Sequence, residues 1–165
     1  MFFRRSRSDA QPALTVRGAR NRHASSTGGG TLVLPSPVLV QQLLDEFGLR
    51  HQLDDDGDLV VRWEKWSVYF FFYGEQNEVL QARLYMNRRF EVESRSALAL
   101  MLDEWNRSKL FPKVYTVLPD DGMVGICAEQ CQDFEIGATR EQMKYTVGMW
   151  IDTLMRFAEW VDEQV

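Results

Sequence analysis

Histidine and cysteine are scarce in this sequence, and their scarcity narrows the chemistry available to the chain. Among 165 residues there are two histidines, His23 and His51, and two cysteines, Cys127 and Cys131. His51 has no second nitrogen ligand at a useful spacing, and one Cys-x3-Cys pair lacks the second pair that a structural zinc site requires. The sequence therefore predicts no metal site.

Motifs for nucleophilic catalysis and for phosphate binding are also missing. The chain contains no Gly-x-Ser-x-Gly, and no Gly-Lys-Ser/Thr follows the glycines at 28–30. The acidic run at residues 54–58 lacks the carboxylate that a calcium loop needs at position twelve, so we interpret it as an exposed hairpin turn. We expect no catalytic residue and no cofactor, and we predict that the protein is not an enzyme.

Long apolar runs are absent too. The longest, residues 68–73, is far shorter than the ~20 residues of a membrane-spanning helix. Arg4 and Arg5 follow the first three residues directly, which excludes the apolar core of a secretory signal. Cys127 and Cys131 fall in one predicted strand, about 13 Å apart at ~3.3 Å per residue, too far for a disulfide. We interpret both as reduced, apolar residues of a cytoplasmic protein.

Charge is divided unevenly along the chain. Residues 1–30 carry six arginines and one aspartate, a net charge of +5, whereas residues 31–165 carry 13 basic and 23 acidic side chains, a net charge of −10. Since nucleic acid and anionic lipid attract clustered positive charge, the folded part is predicted to bind neither. Residues 1–33 are predicted to be a disordered basic tail. An arm for an anionic partner and a start codon assigned too far upstream are the alternatives.

Residues 34–165 are predicted to form one α+β domain. Apolar residues at three- and four-residue spacing predict helices over residues 37–47, 96–107 and 140–163. The predicted caps are Ser36 before Pro37, Ser94 or Ser96, and a Thr139–Gln142 capping box. Alternating apolar residues predict strands over residues 50–53, 59–64, 66–73, 79–86, 114–118 and 123–130. The order α-β-β-β-β-α-β-β-α with hairpin connections predicts a two-layer sandwich with a largely antiparallel sheet.

The strand over residues 66–73 is apolar on both faces. A two-layer sandwich buries only one face, so the other needs a cover such as a dimer partner, a client peptide or a helix packed across it. A central strand covered within the chain is the competing interpretation. The candidate interaction face consists of one face of this strand together with two neighbouring tryptophans: Ser67, Tyr69, Phe71, Tyr73, Trp63 and Trp66.

Several short motifs, in this order and spacing, resemble the YbjN-type domain, a bacterial family described as sensory transduction regulators. They are Phe47-Gly48-Leu49, Asp55-Asp56-Gly57-Asp58, Trp105-Asn106, Phe111-Pro112-Lys113-Val114-Tyr115, Asp120-Asp121-Gly122 and Glu135-x-Gly137. The resemblance covers residues 36 to 161 and leaves out the basic tail. It implies a fold similar to type III secretion chaperones, often dimeric, with a chaperone-like or regulatory role and no catalytic residues.

Three functional hypotheses follow. The first is a non-enzymatic protein-interaction module, chaperone-like or regulatory, that forms a homodimer and binds an unknown protein partner. The second is a small-molecule-binding or enzymatic domain with a pocket lined by Trp63, Trp66 and Trp105. The third is attachment to nucleic acid or to a membrane through the arginine-rich tail.

Overall fold

Six strands form one antiparallel sheet in the computed structural model, which describes residues 30–165. The strands are β2 (His51–Leu53), β3 (Leu59–Arg62), β4 (Trp66–Tyr73), β5 (Val79–Met86), β6 (Lys113–Val117) and β7 (Gly125–Asp133). Their order across the sheet is β2-β3-β4-β5-β7-β6, so β7 lies between β5 and β6. Every neighbouring pair is antiparallel, in agreement with the largely antiparallel sheet that was predicted.

Three helices pack against the same face of this sheet. They are α1 (Pro37–Glu46), α2 (Arg95–Ser108), which follows a short 3-10 helix, and α3 (Arg140–Gln164). The main core combines buried side chains from all three helices with one face of the strands, for example Phe70 of β4 and Phe157 of α3. The predicted α+β two-layer sandwich is therefore confirmed.

Two of the three predicted helix caps are present. The Ser36 hydroxyl accepts a hydrogen bond from the Leu39 amide at 3.2 Å, and Thr139 forms a capping box with Gln142 at the start of α3. Ser94 occupies the N-cap position of α2, but it closes the preceding 3-10 helix with helical torsion angles (φ −74°, ψ −12°) and makes no side-chain cap, and Ser96 lies inside α2. A capping hydroxyl reaches the first turn only from an extended residue.

The sequence analysis did not predict two very short strands. Strand β1 (Leu32–Val33) pairs with β8 (Ala138–Thr139) in a separate antiparallel ribbon. Regular structure therefore begins within residues 1–33, which the sequence had placed in the tail. A two-residue strand is too short to show alternation, so it leaves no pattern to detect. The rest of the predicted tail, residues 1–29, lies outside the described residues.

The side chain of Asn106 forms hydrogen bonds with the backbone of β6 at the outer edge of the sheet. Its side-chain amide donates to the Val114 carbonyl at 2.9 Å, and its side-chain oxygen accepts from the Val114 amide at 3.1 Å. These two bonds reproduce what a neighbouring strand would offer. Since Val114 is almost completely buried, its backbone groups have little access to water, and the side chain of Asn106 replaces that solvation.

Replacing Asn106 with alanine should lower the free energy of unfolding by about 1–2 kcal/mol, because the Val114 amide and carbonyl would both lose their partner. Urea denaturation measures the change. Asn106→Asp is the matched control, because it keeps the acceptor and loses the donor, and we expect an intermediate loss. Equal stability of the alanine variant and the parent chain would contradict this role.

Candidate functional site

The sheet face that points away from the helices is called the distal face here. Strand register places alternate residues of each strand on it: Val60 pairs with Tyr69, Tyr69 with Arg83, and Arg83 with Glu129. Helices α1, α2 and α3 all contribute to the core on the opposite face. The centre of the distal face consists of Val60, Tyr69, Phe71, Tyr73, Gln81, Arg83, Tyr85, Tyr115, Glu129 and Cys131.

Aromatic rings form a second apolar cluster on the distal face. Val60, Tyr69 and Phe71 are buried, with Tyr73 and Tyr85 partly buried beside them. The Tyr69 and Phe71 rings are parallel with centroids 6.1 Å apart, and the Tyr85 ring meets Tyr69 edge-on at 5.8 Å. The distal face thus carries a continuous set of interacting aromatic rings.

A polar network adjoins these rings and is centred on Glu129. Its carboxylate accepts hydrogen bonds from Tyr115 Oη at 2.6 Å, Lys113 Nζ at 2.7 Å and Gln81 Nε2 at 3.2 Å. Arg83 Nη2 lies 3.2 Å from the same carboxylate. Burial disfavours the charged form, but these donors and the positive charge of Arg83 outweigh it, so the pKa of Glu129 is lowered. Glu129 is therefore held as a carboxylate that fixes three strands together.

The other titratable groups here are poor nucleophiles at neutral pH. Burial, with the negative charge of neighbouring groups, raises the pKa of Tyr85 to about 12 and that of Cys127 to about 12. Partial burial raises the pKa of the Tyr115 phenol and, together with the negative charge of Glu129, that of the Cys131 thiol. A thiol reacts as its thiolate, so neither cysteine is activated. Both cysteines are free; Cys127 is buried and Cys131 is exposed.

The structure separates the six residues of the predicted interaction face into two groups. Ser67, Tyr69, Phe71 and Tyr73 lie on the distal face, in register with alternate residues of β5. The two tryptophans pack against the main core on the helix side, where the Trp66 indole nitrogen lies 3.2 Å from Met155 Sδ. Trp63 and Trp66 consequently cannot share a surface with Phe71.

The tryptophans of the alternative pocket also belong to the helix side. Trp105 packs edge-on against Phe157, with ring centroids 5.1 Å apart, and lies at the same distance from Trp160. A groove of about 510 Å³ lies elsewhere, beside the start of α3, lined among others by Phe134, Ile136 and Tyr145 and by no tryptophan. The three tryptophans thus fill the core and its margin.

The polar half of the distal face was missed by sequence reasoning. The sequence analysis did not connect Gln81 and Arg83 of β5 with Glu129, Lys113 and Tyr115. Alternation within β6 and β7 places these residues on one face, yet their contact with Arg83 depends on β7 lying between β5 and β6. No short-range signal specifies that order.

The acidic turn between β2 and β3 is shaped by one carboxylate. Asp54 Oδ1 accepts hydrogen bonds from the backbone amides of Asp56 at 3.0 Å and Asp58 at 2.9 Å.

Within residues 30–165, no group of three or more histidine, cysteine, aspartate or glutamate side chains is placed to hold a metal ion. Over the same stretch, no helix combines the length and the apolar character needed to cross a membrane.

Comparison with known proteins gives one family and one fold. A protein-family model named YbjN, described as "Putative bacterial sensory transduction regulator", matches residues 36–163. The fold is similar to the crystal structure of YbjN, a putative transcription regulator from E. coli, with a TM-score of 0.65 and 19% sequence identity. That similarity covers 81% of this chain and 96% of the other. No curated protein matches the sequence.

Proposed function

Because the chain belongs to the YbjN family of bacterial regulators, we propose that it is a non-enzymatic protein-interaction module of the cytoplasm, chaperone-like or regulatory, that self-associates through its distal face. One observation carries the proposal: an apolar cluster of Val60, Tyr69 and Phe71, with the Tyr73 and Tyr85 rings beside it, lies on the sheet face opposite the three helices. Rings of this kind supply contact area at low cost in side-chain entropy.

The size of the distal face is compatible with a dimer contact. Strand β4 has eight residues, which span about 27 Å, and six strands at about 4.8 Å spacing span about 24 Å. Because β2, β3 and β6 have only three to five residues, the face covers about 590 Å² before side-chain relief is counted, against the ~800 Å² per partner of a specific interface. A dimer through this face therefore also draws contact area from the side chains around it.

The charges at the corners of the face are self-complementary. Exposed Arg62 lies at one end of β3, and exposed Asp133 lies at the other end of β7, near the diagonally opposite corner. A two-fold axis in the contact plane, perpendicular to the line joining them, places Arg62 of each copy over Asp133 of the other. An isologous interface requires this kind of self-complementarity.

Replacing Phe71 with aspartate should raise the dissociation constant for self-association at least about thirtyfold, since it places an unpaired charge at the centre of the contact. Sedimentation velocity at micromolar concentrations measures it. Phe71 is largely buried, so Cys131→Lys, at an exposed position of the same face, is a second variant that leaves the core intact. Leu100→Asp, at a 73% exposed position of α2, is the matched control and should change nothing. An unchanged dissociation constant in both the Phe71→Asp and the Cys131→Lys chains would refute this interface.

A further inference from the structure

One end of the sheet is strongly acidic. In this antiparallel topology the β2–β3 turn, the β4–β5 turn and the end of β7 lie at the same end. A hydrogen bond of 2.8 Å from the Phe134 amide to the Glu78 carbonyl joins two of these connections. Together they contain no basic residue and eight acidic residues: Asp54, Asp55, Asp56, Asp58, Glu75, Glu78, Asp133 and Glu135. We call this region the acidic end.

The chain enters the described structure beside the acidic end. Strand β1 pairs with β8, which begins at Ala138, shortly after β7 ends at Asp133. Gly30 lies against Thr139 of β8, with 3.6 Å between the position of an added Cβ and Thr139 Cγ2. The 29 residues before Gly30 can span at most about 100 Å when extended. They are therefore long enough to reach every part of a face about 27 Å long.

The distal face already binds guanidinium groups on its rings. Arg62 Cζ lies 5.7 Å from the centroid of the Tyr69 ring, and Arg83 Cζ lies 5.5 Å from that of Phe71. Arginine stacks on aromatic rings and pairs with carboxylates better than lysine does. Residues 1–29 carry six arginines and one aspartate, so their charge is complementary to the acidic end. Their guanidinium groups also suit the ring of Tyr73, which is only partly buried and lies where β4 meets the acidic end.

We propose that residues 1–29 dock on the distal face across the acidic end and compete there with a second copy of the chain. The inference rests on the proposed function, because it assigns a regulator to the same face. The covalent link keeps the segment at a high effective concentration. Both copies need a free face to pair, so the apparent dissociation constant for self-association rises as the inverse square of the fraction of time that the face is free.

A spin label tests where the segment lies. A nitroxide is attached to an Ala10→Cys, Cys131→Ser full chain; Cys127 stays unlabelled because it is buried, and burial raises the pKa of its thiol to about 12. We expect the amide signals of Tyr69 and Gln81 to broaden while those of Asp152 and Arg156, on the exposed side of α3, stay sharp. Equal broadening on both sides, or none, would overturn the docking. Mixing nitrogen-15-labelled chain without nitroxide with unlabelled chain that carries it separates contacts between molecules.

Substitution of the arginines tests the competition. Changing all six to glutamine should abolish the selective broadening and lower the dissociation constant for self-association about tenfold, because the face becomes free. The six are Arg4, Arg5, Arg7, Arg17, Arg20 and Arg22. Changing the same six to lysine keeps the charge and loses the planar group, so an intermediate effect is expected; a lysine variant identical to the parent would contradict the stacking.

The two proposals fail in different ways. If the parent and glutamine chains dimerise with the same dissociation constant, the competition is refuted while the homodimer stands. If no variant self-associates at any accessible concentration, the homodimer is refuted, and the broadening pattern still decides whether residues 1–29 occupy the distal face.

Discussion

Replacing Phe157 with alanine should lower the free energy of unfolding by about 3–5 kcal/mol, the largest effect that we expect from a single core substitution. The Phe157 side chain has no exposed surface and packs edge-on against Trp105 of α2, with ring centroids 5.1 Å apart. The substitution leaves a cavity between two helices whose backbones are held by other contacts, so the space cannot close fully. Guanidinium denaturation with a fluorescence readout measures the loss.

Tyr145 provides the matched control on the same helix. Its side chain is 76% exposed, so Tyr145→Ala should change the free energy of unfolding by no more than about 0.5 kcal/mol. A small effect at Phe157, comparable to that at Tyr145, would mean that the contact between α2 and α3 contributes little to stability.

Replacing Glu129 with glutamine should lower the free energy of unfolding at neutral pH by about 2–3 kcal/mol. The side chain of Glu129 is 13% exposed and that of Arg83 is 27% exposed, so removal of the carboxylate leaves a largely buried guanidinium without its counter-charge. We place the loss below that of a fully buried pair, because both groups retain some contact with water and glutamine can still accept hydrogen bonds. Lys113→Gln is the control. Lys113 also pairs with Glu129, but its side chain is 70% exposed, so we expect a smaller loss of stability.

The effect of Glu129→Gln should depend on pH in one direction. The pKa of Glu129 is lowered from its usual value of 4.5 in the folded protein. The carboxylate therefore stabilises the fold fully above about pH 4.5, and this contribution disappears as the pH falls through the folded-state pKa. The difference in free energy of unfolding between parent and variant should shrink on acidification. A constant difference between pH 7 and pH 3 would contradict it.

A second acidic group does not disturb this comparison. Hydrogen bonds from Arg140 and Lys144 lower the pKa of Glu46 to about 2, so Glu46 also adds to the acid sensitivity of the fold. It is present in both chains and lies at the contact of α1 with α3, away from β7. Its contribution therefore cancels in the difference between parent and variant.

The helices and most strand positions could be predicted because their signals are local. Apolar spacing located α3 to within one residue at its C-terminus, and the caps at Ser36 and Thr139 were readable because the side chain and its amide partner lie three residues apart. Strand β7 was predicted over residues 123–130 but runs Gly125–Asp133. Its far end is set by pairing with β5, as far as Val79 opposite Asp133, which is a long-range contact.

The candidate site likewise has a part that could be predicted from the sequence and a part that could not. A period of two placed Ser67, Tyr69, Phe71 and Tyr73 on one face of β4, and the structure has them there. That same period assigns Trp66 to the other face, with Phe70 and the core, so its inclusion in one interaction surface followed proximity along the chain. The two hydrogen bonds between the Asn106 side chain and the Val114 backbone could not be predicted, because they depend on how α2 packs beside β6.

The sequence by itself determined the order of the three helices and the six sheet strands, the two-sided aromatic strand and the contrast between a basic N-terminal segment and an acidic domain. Each of these depends on composition or on neighbours within a few residues. Only the tertiary structure decided that β7 lies between β5 and β6, which brings Arg83 to Glu129 and gathers three acidic connections at one end of the sheet. The physical reason is that strand pairing joins backbones far apart in the chain, and the backbone groups that pair are the same in every residue. The strand order is the one that buries the apolar faces of the strands and helices together, and no short segment of the sequence encodes it.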